Sequence, residues 1–165
     1  MTAPASPPQI SPDQVGRTSQ IIAIALILGV CVFAGVAITI AMGKKPDEQP
    51  GSIVVSSVAV LFAVTAAMGS VVTRRRLTSS QVLQNAAAIR EDYRRALAPI
   101  YSLRNVVSRA LLEGAAFFNL IAYIVEGQMW TLGIVAVLVA MMAVPFPSQT
   151  DFENWAEQVR RDVSS

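Results

Sequence analysis

Long blocks of apolar residues organise the chain. Positions 21–42 carry no charged residue, and neither do positions 52–73. A third apolar run covers 106–125, interrupted by two charged residues, and a fourth covers 129–144. A helix of roughly 20 apolar residues crosses the ~30 Å hydrocarbon core of a bilayer, so these blocks predict four transmembrane helices. The fourth is the shortest, closed by Pro145 and Pro147, whose rings cannot continue a helix.

Between the second and third blocks, Val82, Ala86, Ile89, Tyr93, Ala96, Ile100 and Leu103 recur at four- and three-residue steps. Polar and charged residues fill the gaps, which predicts an amphipathic helix. Thr78 and Gln81 make a capping box at its start, and Pro99 is placed either to kink it or to begin the next helix. Its apolar face, marked by Val82, Ile89, Tyr93 and Ile100, has three possible occupants: the membrane surface, a partner helix, or the cytoplasmic ends of the bundle. After the fourth block, Thr150 and Glu153 form another capping box, and Phe152, Trp155 and Val159 share one face. A short helix resting at the membrane interface is expected there, with Trp130 near the opposite interface.

The predicted fold is therefore an all-α integral membrane protein. It has four transmembrane helices, an amphipathic cytoplasmic helix between the second and third spans, and a short C-terminal interfacial helix. The Pro-rich residues 1–19 are expected to form a disordered tail. Residues 20–73 form a first helix pair, 74–105 a basic segment, 106–146 a second helix pair and 147–165 the C-terminal helix. The first block is too long for a cleaved signal peptide and reads as a signal-anchor.

Composition agrees. The chain of 165 residues is 53% hydrophobic and 15% charged, with mean hydropathy +0.51, whereas soluble domains carry roughly 25% charged residues. The distribution of charge orients the helices. Of 13 Lys and Arg, all but Lys44 and Lys45 lie at Arg17, within 74–109, or at Arg160 and Arg161. Four spans place those segments on one side, which the positive-inside rule makes cytoplasmic, with both termini there, in the cell (inner) membrane of a bacterium. Arg74, Arg75, Arg76, Arg94 and Arg95 form a basic cluster suited to anionic headgroups. A net charge of +2 does not call for nucleic acid.

Small residues at four-residue spacing permit close helix approach in lipid. Ala59, Ala63 and Ala67, with Ala66 and Ser70 beside them, predict packing of the second helix on the first, or on another subunit. Ala25 with Gly29, and Cys31 with Gly35, offer the matching spacing. Chemistry is sparse. The chain has no His and a single Cys, and no metal, cofactor or catalytic constellation stands out. Glu113 is the exception, a carboxylate inside the third span, where ionisable groups are costly. Arg109 lies one turn away at salt-bridge spacing, and Asn119 lies deeper, around the helix, placed to bond a neighbouring helix. Two readings stay open for Glu113: a proton- or cation-carrying group, or the partner of Arg109 in a structural pair. The run Ala110 to Ala116 around it resembles the carboxylate helix of the proteolipid ring subunits of rotary ATPases. That resemblance implies an ion-carrying Glu113. It is confined to part of one span, and the long second connector, the two further spans and the nearby arginine all depart from that family. The expected function is a non-catalytic scaffold or accessory subunit of a membrane complex, partnered by the lipid bilayer and by another protein or a second copy. The alternative is an ion- or proton-conducting component using Glu113.

Overall fold

A computed structural model describes residues 12–44, 52–76, 93–144 and 149–164, and every element among them is helical. The helices are α1 (Pro12–Met42), α2 (Val54–Arg76), α3 (Tyr93–Glu126), α4 (Met129–Ala143) and α5 (Gln149–Ser164). Three of them contain stretches long and apolar enough to cross a membrane: Arg17–Met42, Val54–Thr73 and Pro99–Glu126. The helix α4 is apolar throughout but has 15 residues, about 22 Å at 1.5 Å per residue, short of the hydrocarbon thickness.

Two boundaries differ from the sequence expectation. The first helix reaches back to Pro12, inside the stretch expected to be a disordered tail. The third begins at Tyr93 and runs without a break through Pro99, so the end of the basic segment and the third span are one helix. Pro99 lies in the second turn, where its missing N–H forfeits one bond near the helix end instead of breaking a ladder on both sides. The start of the expected amphipathic helix, including Val82 and Ile89, lies outside the described residues.

The interior is unusual in composition. Ser19, Ser56, Ser70, Asn105, Ser108, Arg109, Asn119, Glu126 and Thr131 are all buried, while Ile21, Leu28, Val32, Leu61 and Met68 stand more than half exposed. Soluble monomers rarely display apolar surface on that scale. In lipid the same arrangement is favourable, because polar groups must find partners inside.

The helix α3 is the hub, packing against α1, α2 and α4. Gly29 faces Glu113, Phe33 meets the Phe117 ring edge-to-face at 5.2 Å, and Lys44 reaches Ile124. These three pairs make α1 and α3 parallel. On the other flank, Phe62 meets Phe118 at 5.7 Å, and Ser56, Ala59, Ala63, Ala66 and Ser70 form the buried face of α2. The expected packing of the first helix on the second is overturned: the described parts of α1 and α2 do not touch, and the small residues of α2 serve its contact with α3. Cys31 and Gly35 of α1 point outward. Between α1 and α2, α3 leaves a stripe open: Leu103, Ala110, Gly114, Ile121 and Val125 are all exposed.

Candidate functional site

Glu113 sits at the seam between α3 and α1. Its Oε1 lies 3.6 Å from where a Cβ on Gly29 would stand, so the bare glycine makes room for the carboxylate. The group is half-buried, and no hydrogen bond or ion pair reaches it from the described residues. The pairing that the Arg109–Glu113 spacing allows is not made. Arg109 is instead buried in the bundle at 1% exposure, engaged by other groups. Side chains one turn apart on a helix are offset by about 40°. Here that offset turns the guanidinium toward the core and the carboxylate toward α1.

Asn119 is fully buried and does join two helices. Its Nδ2 donates to the carbonyl of Ala59 on α2 at 3.1 Å and to that of Ala115 in its own helix at 2.8 Å. Its Oδ1 has no partner. Ala59 is what allows the approach, since a larger side chain would hold the backbones apart. The structure therefore separates the three residues singled out within the span: Asn119 faces α2, Glu113 faces α1, and Arg109 faces the core.

At the far end of α3 lies a polar arrangement that the sequence did not expose. Glu126 accepts hydrogen bonds from the backbone N–H groups of Val55 and Ser56, both at 2.8 Å. Those are free donors of the first turn of α2, whose partial positive charge suits a carboxylate. Ile53, just before the helix, has no side chain able to cap it, and the Ser52 hydroxyl accepts the Val54 N–H at 3.3 Å, leaving Val55 and Ser56 to the carboxylate. Beside this, Lys44 Nζ donates to the Ile124 carbonyl at 2.6 Å, a C-terminal acceptor of α3. Gly127 then turns the chain with φ 69° and donates its N–H to the Tyr123 carbonyl at 2.8 Å. The ends of three helices are thereby tied together.

The opposite end is closed by α5. Phe152, Trp155 and Ala156 are buried. The Phe152 and Trp155 rings pack on Tyr101 with centroids 5.2 Å and 5.6 Å away. The Arg104 guanidinium stacks over Tyr101 and Trp155 at 5.4 Å and 5.2 Å. The aromatic face of this helix is occupied by α3, where offset aromatic and cation–π contacts are available. Ser19, Asn105, Ser108 and Arg109 are also buried in this half of the bundle.

Of the proposed partner face, Ile100 is half-buried, Leu103 is exposed, and the Tyr93 side chain lies outside the described set. In this stretch Leu97 and Tyr101 are buried against the bundle instead. Arg74, Arg75 and Arg76 form the end of α2, and Arg94 and Arg95 lie in the first turn of α3; their side chains lie outside the described set. Among the described residues no group of acidic, His or Cys side chains is arranged to hold a metal. Comparison with family models, curated proteins and solved structures returns no match.

Proposed function

We propose that the protein is a non-catalytic multi-pass membrane component that assembles with a transmembrane helix of another subunit. The observation behind this reading is the open stripe of α3. Leu103, Ala110, Gly114, Ile121 and Val125 lie between two helices that do not meet, and a Cβ built on Gly114 finds nothing within 4 Å. Small residues on an exposed span surface let a second backbone approach, which is how helices associate where the hydrophobic effect gives no drive.

The proposed topology has four crossings, with the arginine-bearing end in the cytoplasm of a bacterial cell and both termini there. The return of the chain supports the fourth. The helix α4 starts beside the end of α3, whereas α5 packs on Tyr101 near the start of α3, so the intervening chain travels the length of the bundle. A short α4 then requires local thinning of the bilayer or extension by its flanks.

A second reading, ion or proton conduction, rests on the Glu113 carboxylate beside Gly29, which no described residue pairs. Crosslinking in native membranes separates the two. With Cys31 replaced by Ser, cysteines at Gly114 and Ile121 are expected to capture one defined partner or a homo-oligomer, and the capture is expected to survive Glu113→Gln. A protein that remains alone, and whose cation or proton flux in liposomes disappears on Glu113→Gln, would overturn the assembly reading in favour of conduction.

A further inference from the structure

We infer that the groove between α2 and α4 holds one acyl chain of a membrane phospholipid. Its volume is about 480 Å³, within the roughly 300–1,000 Å³ of ligand sites. Residues including Val60, Ala63 and Ala67 line it from α2, and a run from Trp130 to Met141 lines it from α4. Apart from the Trp130 indole N–H, the lining side chains are all apolar. A polar ligand buried there would leave its own groups without partners.

Small residues give the groove its depth. Ala63 and Ala67 stand one turn apart on α2, and Gly133 adds a bare position on α4. A Cβ built on Gly133 meets nothing within 4 Å, so the space beside that glycine is open. Val64 and Val137, one from each helix, are 50% and 59% exposed. The groove therefore opens outward, and what surrounds a membrane helix there is acyl chain. It shares no residue with the open stripe of α3.

Its dimensions select the occupant. The helices α2 and α4 both start beside the end of α3, α2 at the Glu126 cap and α4 just past the Gly127 turn. Trp130, in the first turn of α4, stands next to the end of the third span, a place that suits an indole at the membrane interface. From Trp130 to Met141, α4 rises about 16 Å at 1.5 Å per residue. That is close to the depth of one leaflet of a ~30 Å hydrocarbon core. A chain entering beside Trp130 and running inward matches this length. A helix does not match the volume: three turns about 10 Å wide occupy roughly 1,300 Å³. Laid along the groove, a helix would bridge it and leave the space beside Gly133 without contacts.

The full-length protein is extracted from native membranes into detergent, washed free of loose lipid and weighed intact by native mass spectrometry. One retained phospholipid per protein is expected. Gly133→Leu and Ala67→Leu grow side chains into the groove and are expected to lower the retained fraction at least tenfold. Gly35→Leu adds the same side chain at an open position on α1 and is expected to leave retention unchanged. Should Ala67→Leu fail to fold, Gly133→Leu, which meets open space, carries the comparison. To place the chain, the protein is reconstituted with phosphatidylglycerol bearing a diazirine in one acyl chain, then extracted, washed and illuminated. Label is expected on residues 60–67 and 130–141. No retained phospholipid, equal retention in folded Gly133→Leu, or label confined to other segments overturns the site. A second copy or another subunit held in place of lipid, and lost in Gly133→Leu, overturns it in favour of helix docking.

Discussion

The carboxylate of Glu126 accepts the backbone N–H of Ser56 at 2.8 Å, so the last residue of α3 caps the first turn of α2 from 70 residues away in the chain. With its other oxygen on Val55, one side chain does what a local Ser, Thr or Asp ordinarily does at a helix start. The consequence is directional. The entry of α2 combines a local bond, from the Val54 N–H to the Ser52 hydroxyl, with this tertiary one, and α2 and α3 cannot separate at this end without exposing two backbone donors.

Replacing Glu126 tests this graded dependence. Glu126→Ala is expected to lower the thermal unfolding midpoint in detergent more than Glu126→Gln, because the amide oxygen still accepts one of the two bonds. Amide exchange at Val55 and Ser56 is expected to rise in the same order. Equal, negligible effects of both substitutions on exchange at those two amides would show that the cap contributes nothing.

How far the sequence could lead is clearest at this end. The helices were legible, because uncharged runs such as 21–42 and 52–73 admit almost no other state in lipid. Glu126 was legible only as part of a turn, since its partners on α2 are near it solely through the antiparallel packing of α2 on α3. Lys44 was visible as a charge and invisible as the donor to Ile124. The small residues of α2 were readable as a packing face, but spacing does not name the helix it packs against, and α3 took the place expected for α1. The sequence reads Trp155 as a membrane anchor, and the amphipathic pattern alone does not name Tyr101 as the neighbour of its ring. The Arg109–Glu113 pair failed for a related reason: side chains one turn apart share a face only to within the helical offset, and here the seam with α1 divides them.

Asn119 carries a second prediction. Its amide joins α3 to the Ala59 carbonyl, and interhelical hydrogen bonds in membranes average about 0.6 kcal/mol with an upper end near 1.7. Its Oδ1 is buried without a partner, which offsets part of the gain. Asn119→Ala is therefore expected near the lower figure in a reversible unfolding assay in mixed micelles. Asn119→Leu should cost more, because the larger apolar chain must fit against Ala59. A loss of several kcal/mol on Asn119→Ala would mean that the residue serves more than this one contact.

Gly127 gives a backbone test. Its φ of 69° lies in the left-handed region, where a Cβ meets the following carbonyl at a cost of about 1 kcal/mol. Gly127→Ala is expected to destabilise by about that amount, and Gly127→Asn by less, since Asn tolerates this conformation at helix ends. If alanine and asparagine prove equally neutral in thermal unfolding, the turn between α3 and α4 relaxes freely and does not fix the two helices.

The last prediction concerns α5. Its docking depends on Phe152 and Trp155 against Tyr101, with Arg104 laid over two of the rings. Aromatic pairs contribute about 0.5–1.5 kcal/mol beyond area burial, and a cation over a ring about as much again. Among the described helices only α1 and α3 touch it. Trp155→Ala is thus expected to release α5 while leaving the membrane helices intact. Hydrogen exchange should rise across 149–164 and stay unchanged across 106–125. Trp155→Phe keeps a ring and is expected to retain most of the protection. An alternative in which α5 is held by lipid makes the opposite forecast: protection in Trp155→Ala would depend on the bilayer, and Tyr101→Ala, which touches only the protein side of the contact, would leave α5 protected. Measuring both variants in nanodiscs and in detergent decides between an aromatic lock on α3 and an interfacial helix that happens to lie beside it.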